Sequence, residues 1–226
     1  MNNIINKTLE FLKSFIGLVI YFAVNIMFSI ILKNITDLKL YSIVLIVSEI
    51  SLLLILILTY RKRIKKDFID FDKNYKEYLS YGIKVWIIGL LIMAISNSII
   101  YRFMDQAYNQ QVNELVISNL PLYSIIAIVM CGPFVEEIVF RLSFHEHIKN
   151  KYVFLSITSL IFAGIHVLNG ITTPLELLYF IPYGALALSF GIILYKTNNI
   201  FTTVLIHTLH NSLAIMMLAI AAILGV

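Results

Sequence analysis

The sequence predicts an all-α fold, a polytopic integral membrane helical bundle of about seven (7–8) transmembrane helices. Hydrophobic residues make up 60% of the 226 residues and charged residues only 13%, and the mean hydropathy is +0.89. A soluble domain carries about 25% charged residues. Seven apolar segments approach or exceed the ~20 residues that cross a hydrocarbon core. They are Phe15–Leu32, Leu40–Thr59, Gly82–Tyr101, Leu122–Leu142, Tyr152–Leu168, Leu177–Tyr195 and Ile200–Val226.

The first apolar segment is predicted to stay as a membrane anchor, because it is too long and too weakly flanked by small residues for a cleaved signal peptide. Lys and Arg then set the orientation, since they are in excess in cytoplasmic loops. With the N-terminus inside, only Lys33, Lys39 and Arg102 of the 17 Lys and Arg residues fall outside. We therefore expect a multi-pass protein of the cell membrane, surrounded by the lipid bilayer, with its N-terminus in the cytoplasm.

The positive net charge does not indicate nucleic-acid binding. The net charge is +4 and the isoelectric point is about 9.0, but the basic residues lie beside the hydrophobic segments. Such a distribution is typical of contact with anionic lipid headgroups. Cys131 is the only cysteine, so an intramolecular disulfide is excluded.

Residues that can carry chemistry concentrate after Leu120, and this divides the chain into two regions. Residues 1–121 are predicted to form an N-terminal transmembrane region with three helices and a basic cytoplasmic loop over 60–81. Residues 122–226 are predicted to form a four-helix core. The polar connection Arg102–Pro121 is expected to cover the external mouth of that core.

Acidic residues lie inside two of the apolar segments. A charged side chain at mid-bilayer costs about 2.5–3.5 kcal/mol and is a functional candidate by default. Glu137 and Arg141 are four residues apart, so they share a helix face and can pair. Glu136 lies about 100° away around the helix, so we expect it to point at a cavity instead. For Glu49, an isolated acid in the second segment, a role in bridging helices is the leading interpretation.

Two further polar pairs have helical spacing. Phe162 and His166 share one face of the fifth segment, and His207 and Asn211 share one face of the seventh. His210 lies near the same face and is a rival ligand or proton carrier. A lone His or Asn in a membrane helix is more often a helix–helix hydrogen-bonding residue than a catalyst. The joint pattern on three of the four core segments favours a shared functional site.

A hairpin argument relates two of these segments. If the turn between segments four and five centres near Lys151, Glu136 lies 15 residues before it and His166 lies 15 after it. At 1.5 Å per residue, each is about 22 Å from the turn. Antiparallel helices would then bring the carboxylate and the imidazole to one level.

These patterns resemble the three motifs of the CPBP intramembrane proteases, which include the type II CAAX prenyl endopeptidases and the bacterial Abi proteins. The first motif is Glu136-Glu137-x-x-Phe140-Arg141. The second runs from Ser159 to His166, with the sequence SLIFAGIH, and the third is His207-x-x-x-Asn211. All three occur in order on separate membrane segments, so the resemblance is specific.

The resemblance implies an intramembrane endopeptidase in which residues 122–226 are a catalytic core of the CPBP/Abi type. It gives Glu136 the role of the base that activates water, and His166 that of a second catalytic group. It makes His207 and Asn211 the donors to the oxyanion. The supporting residues are Glu137, Arg141 and Phe162.

The sequence does not commit to a metal site. Two His and one Glu can bind zinc with an open fourth position, so Zn²⁺ is compatible with Glu136, His166 and His207. Helical zinc sites, however, place two His four residues apart on one helix, and here the His residues come from different segments. We expect a glutamate-dependent reaction with no obligate cofactor.

The leading hypothesis is an endopeptidase that hydrolyses a peptide bond in a membrane-associated protein or peptide. The alternative is a non-enzymatic membrane protein that confers bacteriocin self-immunity or binds a membrane sensor kinase. Buried charges favour the enzyme, since a binding protein has little reason to keep them. A transporter predicts inverted-repeat symmetry, which the sequence does not show. The Ile-, Asn- and Lys-rich composition is typical of AT-rich bacterial genomes and favours a pheromone or bacteriocin precursor over a prenylated substrate.

Overall fold

The structure, a computed structural model, describes residues 2–224 and contains helices and connections only within that range. This confirms the predicted all-α class. The α-helices are α1 (Asn2–Lys13), α2 (Ile16–Leu32), α3 (Leu38–Thr59), α4 (Arg61–Ile100), α5 (Tyr108–Asn119), α6 (Pro121–Ser124), α7 (Gly132–Glu137), α8 (Ser143–His145), α9 (Lys151–Val167), α10 (Phe180–Thr197) and α11 (Ile200–Leu224). Two π-helical stretches, Ile125–Cys131 and Ile138–Leu142, and a 3₁₀-helix, Pro174–Tyr179, complete the path.

Five helices within residues 2–224 are long and apolar enough to cross a membrane, so the chain is a multi-pass membrane protein. They are Phe11–Leu32, Leu38–Thr59, Arg61–Ile100, Pro174–Thr197 and Ile200–Ile220. The predicted count of seven to eight is not confirmed. The predicted fourth segment is divided into short α and π pieces, and α9 has only 17 residues.

An outward apolar stripe on α4 fits a lipid environment. Ile88, Leu91 and Ile95 recur at helical spacing, and each is more than half exposed. In water such a continuous stripe would be an aggregation hazard, whereas hydrocarbon chains solvate it.

The predicted basic loop over 60–81 is wrong, because these residues form the first half of α4. This helix has 40 residues and a length of about 60 Å, twice the thickness of the hydrocarbon core. Residues 61–81 contain neither Pro nor Gly, and Lys, Arg and Glu are good helix formers. Arg63 also donates from Nε to Asp67 Oδ1, 2.7 Å away and one turn along. The charged residues that predict a connection are instead part of the helix α4.

The charged half of α4 holds the start of α11. Asp67 is 1% exposed and accepts hydrogen bonds from Arg63 and from the backbone N–H of Ile200, the latter at 3.0 Å. Asn199 donates to the Asp67 carbonyl oxygen at 2.7 Å, and its own side-chain oxygen accepts the N–H of Phe201 at 3.1 Å. These bonds satisfy backbone groups at the start of α11 that no helical partner can reach. The position of the third motif therefore depends on a contact outside the apolar core.

The segment that carries the first motif follows a continuous helical path in which α and π geometry alternate. The backbone N–H of Gly132 donates to the carbonyl oxygen of Ala127, five residues earlier, which is the π pattern. A side chain at Gly132 would collide with that oxygen, so the residue must be glycine for this turn to close. The bend that the sequence Cys131-Gly132-Pro133 predicts thus coincides with the end of the first π stretch.

The hydrophobic core joins the two predicted regions of the chain. Its centre is the first-motif segment, whose side chains Ile138, Val139, Phe140 and Leu142 are at most 1% exposed. Residues from the N-terminal helices pack against it, among them Val24, Leu52 and Leu56. Helices α9, α10 and α11 cover the other side with Phe154, Phe162, Ala187, Leu194 and Val204.

The anchor at Asp67 predicts a stability difference between two acids of the same helix. Asp67→Ala leaves Arg63 and the N–H of Ile200 without their acceptor, so the free energy of unfolding should fall by about 2–4 kcal/mol. Asp72→Ala, at an exposed position five residues along, should change it by less than about 0.5 kcal/mol. Unfolding in mixed micelles with increasing SDS measures both. Equal effects of the two substitutions would contradict the anchor.

Candidate active site

One cavity of roughly 390 Å³ collects the residues that the sequence predicted as catalytic. Glu136 from α7, His166 from α9, and His207 and Asn211 from α11 all line it. They come from three elements that are far apart along the chain. The structure thus brings the four side chains together, while their catalytic roles stay predictions.

Glu137 and Arg141 form the expected pair beneath this cavity. Both side chains are fully buried, and Arg141 Nη1 donates to Glu137 Oε1 at 2.5 Å. A buried charge without a counter-charge is strongly unfavourable, so each needs the other. The helical spacing predicted this ion pair, and the pairing leaves Glu136 facing the cavity.

His207 binds the same carboxylate oxygen, which the sequence analysis missed. Its Nδ1 lies 2.8 Å from Glu137 Oε1, although the two residues are 70 positions apart. An ionised carboxylate only accepts hydrogen bonds, so the proton sits on Nδ1 of His207. Glu137 therefore fixes the ring of His207 as well as the charge of Arg141. No spacing rule links two residues so distant, and only the packing of α11 on α7 shows the contact.

The other ring nitrogen of His207 faces the candidate base. His207 Nε2 lies 3.7 Å from Glu136 Oε2, which is too long for a hydrogen bond. The Glu136 side chain is 25% exposed, and it borders the cavity instead of being sealed in protein. With Nδ1 protonated, Nε2 can donate to an oxyanion only when the ring carries a second proton.

His166 has a different tautomer constraint. Its Nδ1 lies 2.8 Å from the backbone carbonyl oxygen of Phe162, one turn earlier. A carbonyl oxygen only accepts, so Nδ1 carries the proton and Nε2 has a free lone pair. His166 can therefore accept a hydrogen bond from a water molecule in the cavity, which is compatible with its predicted role as a second catalytic group.

Aromatic rings fix the site laterally. Phe162 stacks on His166 with ring centroids 4.2 Å apart, and the Arg141 guanidinium lies 4.5 Å from the Phe162 centroid. Phe190 repeats this arrangement, because it stacks on His207 at 4.6 Å and lies 5.2 Å from Arg141. These cation–π contacts supplement the hydrogen bonding of a guanidinium whose Nε and Nη2 have no hydrogen-bond partner among the described residues. Phe162 thus has the predicted supporting position, whereas Phe190, in an apolar helix without a motif, gave no sequence signal.

Asn211 uses one of its two N–H groups for anchoring. Its Nδ2 donates to the carbonyl oxygen of Ile128 at 2.8 Å. Ile128 lies in the first π stretch, so this bond ties α11 to the segment that carries Glu136. The second N–H of the amide can serve a ligand, which is compatible with the predicted oxyanion role.

Two residues with open roles also line the cavity. His210 accepts a hydrogen bond at Nδ1 from Trp86 Nε1, 3.4 Å away, so one ring nitrogen of this rival ligand is in use. Glu49 accepts a hydrogen bond from the Tyr123 hydroxyl at 3.3 Å, which joins α3 to α6. This bond is compatible with the helix-bridging interpretation of Glu49, but the bridge is built at the wall of the cavity.

The turn before α9 lies earlier than the hairpin argument assumed. Asn150 caps α9 by accepting the N–H groups of Tyr152 and Val153, so Lys151 is the first helical residue and the connection covers 146–150. A turn centred at Lys151 was therefore wrong, and Glu136 and His166 are not equidistant from the true turn. They nevertheless border the same cavity.

The zinc set considered from the sequence does not fit this geometry. Glu136, His166 and His207 all line the cavity. Within residues 2–224, however, no three His, Cys, Asp or Glu side chains converge as a metal ion requires. We derive no step through a metal, and the expectation of a metal-independent reaction stays a prediction.

Comparison with known protein families finds a match to part of the chain. The family model for type II CAAX prenyl endopeptidase Rce1-like proteins matches residues 118–213. This stretch contains all three motifs, which confirms the predicted CPBP assignment for this part of the chain and supports a membrane protease. No curated protein and no solved structure matches the chain.

The buried ion pair predicts a large stability effect. Arg141→Met keeps the aliphatic stem but leaves the Glu137 carboxylate buried without a counter-charge, so the free energy of unfolding should fall by about 3–5 kcal/mol. Arg102→Met, at an exposed position, is the matched control and should change it by less than about 0.5 kcal/mol. SDS unfolding followed by circular dichroism measures both. A loss below about 1 kcal/mol for Arg141→Met would show that the pair does not support the fold.

Proposed function

We propose that this chain, whose residues 118–213 belong to the CPBP family of membrane proteases, is an intramembrane endopeptidase. Its substrate is a membrane-associated protein or peptide, in which it hydrolyses a peptide bond. The observation that carries the proposal is the division of two adjacent acids. Glu137 is neutralised by Arg141 and bound to His207, whereas Glu136 faces a cavity with His166 and Asn211.

Glu136 activates the water. Its carboxylate has no Lys or Arg partner among the described residues, so it is free to take a proton from a water molecule in the cavity. The Nε2 lone pair of His166 accepts the second hydrogen of that water and holds its oxygen towards the scissile carbonyl carbon. General-base catalysis of this kind contributes about 10²–10⁴-fold to the rate.

Asn211 and His207 stabilise the charge that develops. As the water oxygen adds to the carbonyl carbon, negative charge moves to the carbonyl oxygen, and preorganised donors in a site of low dielectric lower the barrier. The free N–H of Asn211 is one donor, and His207 is the second when its Nε2 takes up a proton in addition to the one on Nδ1. Glu136 then returns its proton to the leaving nitrogen as the C–N bond breaks, giving a carboxylic acid and an amine.

The proposal includes the placement in the membrane. The N-terminus is in the cytoplasm, which is supported by the Lys and Arg distribution and by the charged half of α4. The reaction needs no obligate cofactor. The partners are the substrate and the bilayer, and a membrane sensor kinase is the partner that the non-enzymatic alternative would require.

Substitution of the proposed base tests the function. Glu136→Gln keeps the shape of the side chain but cannot take a proton, so cleavage should fall by at least about 10²-fold. Glu77→Gln makes the same chemical change at an exposed position of α4 and should leave cleavage unchanged. Comparison of the membrane peptidomes of cells with the wild type and each variant reveals the site-dependent product.

The opposite outcome would favour the non-enzymatic alternative. If Glu136→Gln and His166→Ala cells keep both the wild-type peptidome and the wild-type phenotype, the motifs serve binding and not hydrolysis.

Removal of the oxyanion donor gives a graded effect. Asn211→Ala removes one donor to the carbonyl oxygen, so kcat should fall by about 10²–10³-fold while Glu136 remains intact. Purified protein in proteoliposomes, with the peptide that the peptidome identifies, gives kcat and KM separately. An effect on KM alone would place Asn211 in ground-state binding instead of transition-state stabilisation.

A further inference from the structure

Glu49 is a second acid at the cavity that the proposed reaction does not use. It lies on α3, well before the residues that match the family, and it lines the same cavity as Glu136. An ionisable group within an apolar membrane segment is energetically costly, and such groups are functional candidates by default. Its bond to Tyr123 alone does not account for a carboxylate at this place.

The Glu49 carboxylate has few partners. Among the described residues it accepts one hydrogen bond, from Tyr123 at 3.3 Å, although a carboxylate can accept about four. Within residues 2–224, no Lys or Arg side chain lines the cavity or pairs with Glu49. A carboxylate in such surroundings attracts a cation from outside the protein.

The rest of the wall suits a peptide. Neutral amide side chains line the cavity beside the catalytic candidates, and amides can donate to and accept from a peptide backbone. They are Asn25, Asn109, Gln110, Asn113 and Asn169. Because these groups carry no charge, Glu49 is the feature of this wall that discriminates by charge.

We infer that Glu49 is a specificity-determining residue, which binds a Lys or Arg side chain of the peptide substrate. The inference rests on the proposed function, because it takes the ligand to be a peptide. The cationic side chain of the substrate donates to the free oxygen of the Glu49 carboxylate. The backbone of the substrate peptide forms hydrogen bonds with the Asn and Gln side chains of the cavity. Tyr123 holds the carboxylate in place by the one bond it donates.

Binding of paired peptides isolates this contribution. The protein carries Glu136→Gln, which prevents hydrolysis and removes the other acid of the cavity, and is purified in nanodiscs. The probes are pairs of fluorescein-labelled apolar dodecapeptides. The two members of a pair differ at one position, which is Lys in one peptide and norleucine in the other, and each position is tested in turn. At one or more positions the Lys peptide should bind about tenfold more tightly, and Glu49→Gln should reduce this ratio to about one.

Two further variants keep the test independent of folding. Glu49→Leu replaces the acid with an apolar side chain that a membrane helix accommodates, and it should also abolish the preference. Tyr123→Phe removes the bond that positions the carboxylate but keeps its charge, so the preference for Lys should become weaker without being lost. The melting temperature of each variant is the folding control, and it should be close to that of the Glu136→Gln parent.

The outcomes separate this inference from the proposed function. Equal binding of both peptides at every position, or a preference that survives Glu49→Gln, would overturn the role of Glu49 even if wild-type protein cleaves the peptides. A preference for the Lys peptide that depends on Glu49 would support the subsite. If the wild-type protein nevertheless cleaves none of the peptides, the endopeptidase function is rejected while the subsite is kept.

Discussion

The buried carboxylate of Glu137 holds the site together. One of its oxygens accepts hydrogen bonds from Arg141 on the same helix and from His207 on α11. The first bond makes a charge tolerable in the protein interior, and the second orients the imidazole whose other nitrogen faces Glu136. Phe162 and Phe190 lie against the guanidinium and stack on the two imidazoles. The position of each proposed catalytic histidine is therefore coupled, directly or through a ring, to this one ion pair.

Backbone geometry and a remote polar contact complete the arrangement. The π turn at Gly132 precedes Glu136 by one helical turn, and the same π stretch offers the carbonyl oxygen that anchors Asn211. π-helical stretches are rare and frequent at functional sites, and this one links two motifs. In the charged half of α4, Asp67 fixes the start of α11. The start and the middle of α11 are thus restrained by different parts of the chain.

Local spacing predicted what lies within one helix turn and little beyond it. The pairing of Glu137 with Arg141 and the separate direction of Glu136 follow from 3.6 residues per turn. The contact of His207 with Glu137 and the stacking of Phe190 on His207 depend on how α10 and α11 pack, which no single-segment pattern contains. The helical character of 60–81 was missed because its charges obscured an unbroken helix-forming stretch. The turn lies at 146–150, earlier than predicted, because Asn150 caps α9 and Lys151 is already helical.

The division between the two adjacent acids is the central claim, and their isosteric substitutions test it most directly. The measurement is the free energy of unfolding in SDS for Glu136→Gln and Glu137→Gln. The account predicts that Glu136→Gln stays within about 0.5 kcal/mol of wild type, because this side chain faces a cavity and lies too far from His207, at 3.7 Å, for a hydrogen bond. It predicts a loss of about 2–4 kcal/mol for Glu137→Gln, because Arg141 is left buried without its counter-charge. Equal losses, or a larger loss for Glu136→Gln, would contradict the division.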